Sequence, residues 1–142
     1  MADNFTDYGH RLLATSDGEP SGKLDWMLDT IRVVLINGSR YTFDITHKYL
    51  DDIPVNARVL ITDPLAGKYV TARGACGANN IIYPSLSGDP VSALGLFKDV
   101  NSDPMLSPFF MWIDSYSNLP AILTGGEFKI IWPIDADRIF RP

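Results

Sequence analysis

The sequence predicts a mainly β fold, an antiparallel β-sandwich or barrel with a short N-terminal helix or arm, and three observations carry that prediction. From Thr30 onward, short apolar or alternating runs are separated by Gly, Pro, Asn and Asp at intervals of roughly 8–12 residues, the rhythm of antiparallel sheets. The segment Glu127-Phe128-Lys129-Ile130-Ile131-Trp132 has a period of two, with Phe128, Ile130 and Trp132 on one face and Glu127 and Lys129 on the other. The run Phe109-Phe110-Met111-Trp112-Ile113 is apolar on both faces, so one face fills a core and the second must meet another layer, a ligand or another subunit.

In chain order, residues 1–23 read as an N-terminal arm. Phe5, Tyr8, Leu12 and Leu13 fall at near-helical spacing ahead of Ser16-Asp17-Gly18-Glu19-Pro20-Ser21-Gly22, which predicts a short helix followed by a flexible connector. Gly9 costs such a helix about 1 kcal/mol, so the helix has to pack on something, either its own domain or a neighbour. Residues 24–142 read as one β domain, with candidate strands at 30–36, 41–44, 57–62, 68–73, 80–84, 92–99, 108–114, 127–132 and 138–140. Between them, Leu50 and Ile53 are three apart and flanked by turn formers, which predicts a single helical turn over one end of the domain. Gly125-Gly126 marks a hairpin or loop where glycine supplies a positive φ. There is no internal repeat and no low-complexity tract.

Composition narrows the functional classes. At 142 residues, with 46% hydrophobic and 20% charged side chains, the chain can build its own core as a single domain. Twelve Lys and Arg against seventeen Asp and Glu give a formal charge of −5, which argues against a nucleic-acid partner. Cys76 is the only cysteine, so no intrachain disulfide or four-cysteine zinc site is available and a reducing compartment suits the chain. No apolar run approaches the ~18 residues of a membrane span, and the first 20 residues lack the basic and apolar regions of an export signal.

Catalytic signals are weak. Gly74-Ala75-Cys76-Gly77-Ala78 superficially resembles a nucleophile elbow, but both histidines precede it and the residues after it read as strand. His47 with Asp44, Asp51 and Asp52 offers metal-ligand types, yet the pattern fits a solvated loop with a favourable charge pair better. Asp135-Ala136-Asp137 opens like a calcium loop whose glycine and closing glutamate are missing. Phosphate-loop, dinucleotide and zinc-protease patterns are absent from the sequence. The expectation is a binding or structural protein without metal or cofactor, not an enzyme.

An ordered set of phrases supplies the context. Leu24-Asp25-Trp26, the run from Asp29 to Ile36, Tyr41-Thr42-Phe43-Asp44, the run from Thr46 to Ile53 and Ala57-Arg58-Val59 come first. Gly67-Lys68-Tyr69-Val70, the run from Ser92 to Asp99, Leu119-Pro120, the run from Gly125 to Trp132 and Arg138-Ile139-Phe140 follow. In this order they resemble a family of small tailed-bacteriophage virion structural proteins. The resemblance implies a virion building block with no catalytic site, and because many copies of a small oligomeric clamp suit a repeating shell, the expectation is a head decoration (cement) protein, made in the host cytoplasm and carried on the phage head. It would bind the major capsid protein or other virion proteins as a homo-oligomer, a trimer being favoured. Under this reading Phe5, Tyr8, Leu12 and Leu13 of the arm and Phe109, Met111 and Trp112 are the candidate partner-interface residues, with Arg11, Arg32 and Arg40 available for rim ion pairs. The alternatives are a neck, tail or baseplate component, and a glycan- or receptor-binding fibre module in which Trp26, Tyr83 or Trp112 stacks on sugar rings.

Overall fold

The longest apolar runs become the middle of a five-stranded antiparallel sheet. The computed structural model describes residues 3–14, 23–114, 119–132 and 139–140. Within them lie β1 (Asp3–Phe5), α1 (Asp7–Ala14), β2 (Ile31–Ile36), β3 (Arg58–Ile61), β4 (Tyr69–Val70), β5 (Cys76–Gly77), β6 (Ile81–Tyr83), β7 (Ala93–Lys98), β8 (Phe109–Ile113) and β9 (Phe128–Ile130). The main sheet has the order β1-β8-β7-β2-β3, and β4-β5 and β6-β9 form two small antiparallel pairs. Among the described residues the main sheet is open, and no helix is long and apolar enough to cross a membrane.

Both faces of the main sheet are buried, which is why its central strands show little alternation of apolar and polar residues. Ile31, Val33 and Leu35 of β2, with Leu94 and Leu96 of β7, join Trp26, Phe128, Ile130 and Phe140 in one core layer. Val34, Ile36 and Phe97 point the other way and meet Tyr41, Leu50, Ile53 and Ala57. That second cover comes from the segment between β2 and β3, which contains 3-10 turns at Leu50–Asp52 and Val55–Ala57, the first matching the predicted helical turn. The expected strand at 41–44 is not formed. Tyr41 and the partly buried Phe43 do turn inward, but no strand lies beside them, so their alternation reflects burial without a ladder.

A bulge in β8 joins the sheet to the N-terminal helix. Leu96 pairs with Met111 and Phe97 with Phe109, leaving Phe110 without a partner in β7. Phe110 therefore packs in the same layer as Met111. Thr6 fastens α1 onto this bulge. Its backbone N–H donates to Phe110 O (3.0 Å), its hydroxyl donates to Phe109 O (2.9 Å), and that hydroxyl accepts the N–H of Gly9 as an N-cap. Residues 3–14 thus supply an edge strand of the main sheet and a helix that docks on the chain's own domain, one of the two expected placements, while the predicted connector 16–22 lies outside the described residues.

Elsewhere the predicted alternation of 127–132 is found, with Phe128, Ile130 and Trp132 buried and Lys129 exposed. Gly125 adopts φ +91° and its N–H donates to Leu86 O. Of the expected strand 138–140, Ile139 and Phe140 are described, and both hydrogen-bond to Cys76.

Candidate functional site

The candidate interface residues turn out to be mostly internal. Phe109 and Met111 are fully buried, and Trp112 is 7% exposed. Trp112 stacks on Phe43 at 5.1 Å, and its Nε1 donates to Asp114 Oδ2 at 3.1 Å. This corrects the expectation that these three anchor a partner: Phe109 and Trp112 meet another layer of the same chain, made by Tyr41, Phe43 and Leu50, and Met111 lies in the first core layer. Tyr8 and Leu12 are likewise buried, because the amphipathic face of α1 is laid on β8. Phe5 and Leu13 are partly buried against the same layer, and Phe5 sits edge-on to Phe140 at 5.1 Å. Among the glycan candidates, Trp26 and Trp112 are also buried and present no free ring face, and Tyr83 is half-buried on β6.

The other singled-out groups have local duties. Asp44 accepts from the backbone and hydroxyl of Thr46, and these bonds hold its carboxyl below the usual range. Asp52 accepts from the N–H groups of Lys48 and Tyr49, and Asp51 lies 4.0 Å from Arg58. His47 Nδ1 shares a 2.6 Å hydrogen bond with the Tyr41 hydroxyl. Arg32 Nε lies 2.9 Å from Asp99 and Arg40 lies 4.0 Å from Asp89, whereas Arg11 is exposed on α1. Asp135-Ala136-Asp137 falls outside the described residues.

Cys76 lies inside the first core layer, where burial pushes its thiol up to about 11 from 9.0. Burial also pushes Tyr41 up to about 12. Each group is neutral when protonated, so the folded chain holds these protons more tightly than the unfolded chain. Stability therefore falls with rising pH, from about 9 toward 11 through Cys76 and from about 10 toward 12 through Tyr41. We expect the urea midpoint of the wild type to drop between pH 9 and 10 more steeply than that of Cys76→Ala; equal slopes would contradict the burial of the thiol.

One surface element stands out by contrast. Residues 25–29 form a turn closed by its two carboxylates. Asp25 Oδ1 accepts from the N–H groups of Met27 (3.0 Å) and Leu28 (3.2 Å), and Asp29 Oδ2 accepts from Asp25 N–H (2.6 Å). Asp29 N–H donates back to Asp25 O. Lys98 Nζ lies 3.4 Å from Asp29 Oδ1, and the Lys68 ammonium donates to the Asp29 carbonyl. Trp26 roots the turn, its ring buried edge-on to Phe140 and its Nε1 donating to Gly77 O at 3.1 Å. The tip holds Met27, 50% exposed, and Leu28, 85% exposed. Single exposed apolar residues are ordinary, but two adjacent large ones on a fixed turn form a preorganised apolar knob.

Sequence reasoning passed over Met27 and Leu28. The available signal was an Asp four residues before another Asp with Trp-Met-Leu between them, a pattern that suits an Asx turn. A second exposed region lies on the outer side of the β6-β9 pair. There Ile82 faces Lys129 across the strands, and Ile122 borders a cleft of about 250 Å³. Comparison of the sequence with protein-family models and with curated proteins finds no match.

Proposed function

We propose that the chain is a bacteriophage virion structural protein, and specifically a capsid decoration protein that binds assembled neighbours on the particle through a preformed surface. The ordered resemblance from Leu24 to Phe140 supports the virion assignment. The observation that carries the binding role is the Asp25–Asp29 turn, where four hydrogen bonds and two lysines fix the backbone beneath a solvent-facing Met27 and Leu28. A turn already fixed before binding loses little conformational entropy on docking, so the burial of its tip goes largely into affinity. Fully burying a Leu or Met side chain is worth about 1.5–3 kcal/mol. Such a modest contact suits a protein present in many copies on a repeating lattice, where an oligomer engages several sites at once. The contact chemistry is an apolar pocket on the shell, with Lys68 and Lys98 at the base of the turn beside it.

Replacing Met27 and Leu28 together by Ser is expected to leave the urea midpoint of the isolated protein nearly unchanged and to cut occupancy on purified capsids at least about tenfold. Undiminished occupancy would remove the turn from the mechanism. Counting copies per virion by quantitative mass spectrometry tests the location: hundreds support decoration, and a handful would move the protein to the neck or tail.

A further inference from the structure

We propose that a slot between residues 62–66 and β6 binds a single neutral sugar ring. β6 is hydrogen-bonded to β9 along one edge, and the slot lies between β6 and residues 62–66. Its two walls are tied at both ends. Asn79 N–H donates to Ala66 O (2.9 Å), and the Tyr83 hydroxyl reaches the Asp63 backbone. Among the described residues no backbone hydrogen bond crosses between these ties, and the space left open is about 180 Å³.

The polar groups along the slot are held in place before any ligand arrives. Asn80 Oδ1 accepts the N–H of Trp132 (2.9 Å), so its NH2 group is left as a donor. Asn79 O accepts from Trp132 Nε1 (3.1 Å), which fixes the backbone that carries the neighbouring carboxamide. That carboxamide lies against Gly67, where a Cβ would collide with it, and Gly67 adopts φ +63°. Among the described residues, the Asp63 carboxylate and the Asn79 carboxamide make no hydrogen bond or ion pair of their own, and both residues are exposed.

This donor and acceptor set selects hydroxyl groups. A carboxylate only accepts and an NH2 group only donates, whereas a hydroxyl does both, so adjacent hydroxyls on one ligand satisfy Asp63 and Asn80 together. An ammonium ligand would leave the Asn80 NH2 unmatched. An anion would meet Asp63, and no lysine or arginine lines the slot to offset it. Pro64 and the half-buried Ile81 and Tyr83 supply apolar walls for the C–H edges of a ring. The volume is below the roughly 300–1,000 Å³ that buries a drug-sized ligand, which limits the occupant to one ring. None of the lining residues belongs to the Asp25–Asp29 turn, so the inference stands or falls separately from the capsid-binding role.

The test follows backbone amide shifts of the isotope-labelled full-length protein during titration with glucose, galactose, mannose and N-acetylglucosamine. Each sugar is offered free and as its methyl glycoside. We expect at least one to give saturable shifts centred on residues 62–66 and 79–83, with Kd on the order of 1–10 mM. Binding of the methyl glycoside assigns the slot to a unit of a glycan, and binding of the free sugar alone assigns it to a monosaccharide; either supports the proposal. Asp63→Ala is expected to weaken that binding about tenfold or more and Asn79→Ala about three- to tenfold. Asp63→Ala should leave the urea midpoint nearly unchanged, because its side chain is exposed and holds nothing in the fold. Absence of saturable shifts with all four sugars, or binding that survives both substitutions undiminished, would overturn the proposal.

Discussion

Replacing Gly9 by alanine is expected to destabilise the protein by about 1–3 kcal/mol, or to release α1 from the sheet, although the same change in an exposed helix gains about 1 kcal/mol. The reversal comes from how closely α1 lies on β8. A Cβ at position 9 would sit 2.6 Å from Phe110 O, 2.8 Å from Phe110 Cβ and 2.9 Å from Phe110 Cα. Two of those atoms are backbone within the paired sheet, so relief requires lifting the helix. Lifting it would stretch the bonds of Thr6 to Phe109 and Phe110 and pull Tyr8 and Leu12 out of the first core layer. Urea unfolding of Gly9→Ala beside Arg11→Ala, an exposed position on the same helix, checks the effect. An increase in the midpoint of Gly9→Ala would mean that α1 does not rest on Phe110.

Gly9 also shows where sequence reasoning reached its limit. Read locally, it weakens a helix; read with Phe110 in place, it is what lets the helix approach. The strands with strong composition or clean alternation were legible. The expected segments 30–36, 92–99, 108–114 and 127–132 contain β2, β7, β8 and β9, with the ends of the segments lying in loops. What escaped were elements whose identity depends on a distant partner. Cys76–Gly77 is a strand only because Tyr69–Val70 lies beside it, and Asp3–Phe5 only because β8 has a free edge. The opposite error at 41–44 has the same origin, since Tyr41 and Phe43 alternate like a strand but face a sheet instead of joining one. The interface residues were misread for a related reason. A doubly apolar strand needs two covers, and its composition does not say that residues 41–57 of the same chain provide the second. The Met27–Leu28 tip was passed over because its exposure depends on Trp26 being drawn inward to Gly77 and Phe140, a contact between segments about 50 and more than 100 residues apart in sequence.

Trp112→Ala is expected to cost the isolated protein about 3–5 kcal/mol, a large share of the 5–15 kcal/mol that holds a typical domain folded. The side chain is buried without any partner present. Phe43 lies nearly parallel to it, at an interplanar angle of 15°, and the Tyr41 ring centroid is 5.7 Å away. Removing the indole leaves both rings facing a cavity between the sheet and its second cover, and it frees the Asp114 carboxylate from Nε1. Trp112→Phe keeps much of the ring contact and loses that hydrogen bond, so a smaller loss of about 1–2 kcal/mol is expected. Equilibrium unfolding of both variants and capsid occupancy measured under folding conditions separate the two roles of this residue. If Trp112 is internal, the stability losses follow the order Ala greater than Phe, and the folded fraction of each variant still binds capsids normally. A Trp112→Ala chain as stable as wild type but unable to bind would place the indole in a partner's surface and refute the packing of residues 41–57 over the sheet.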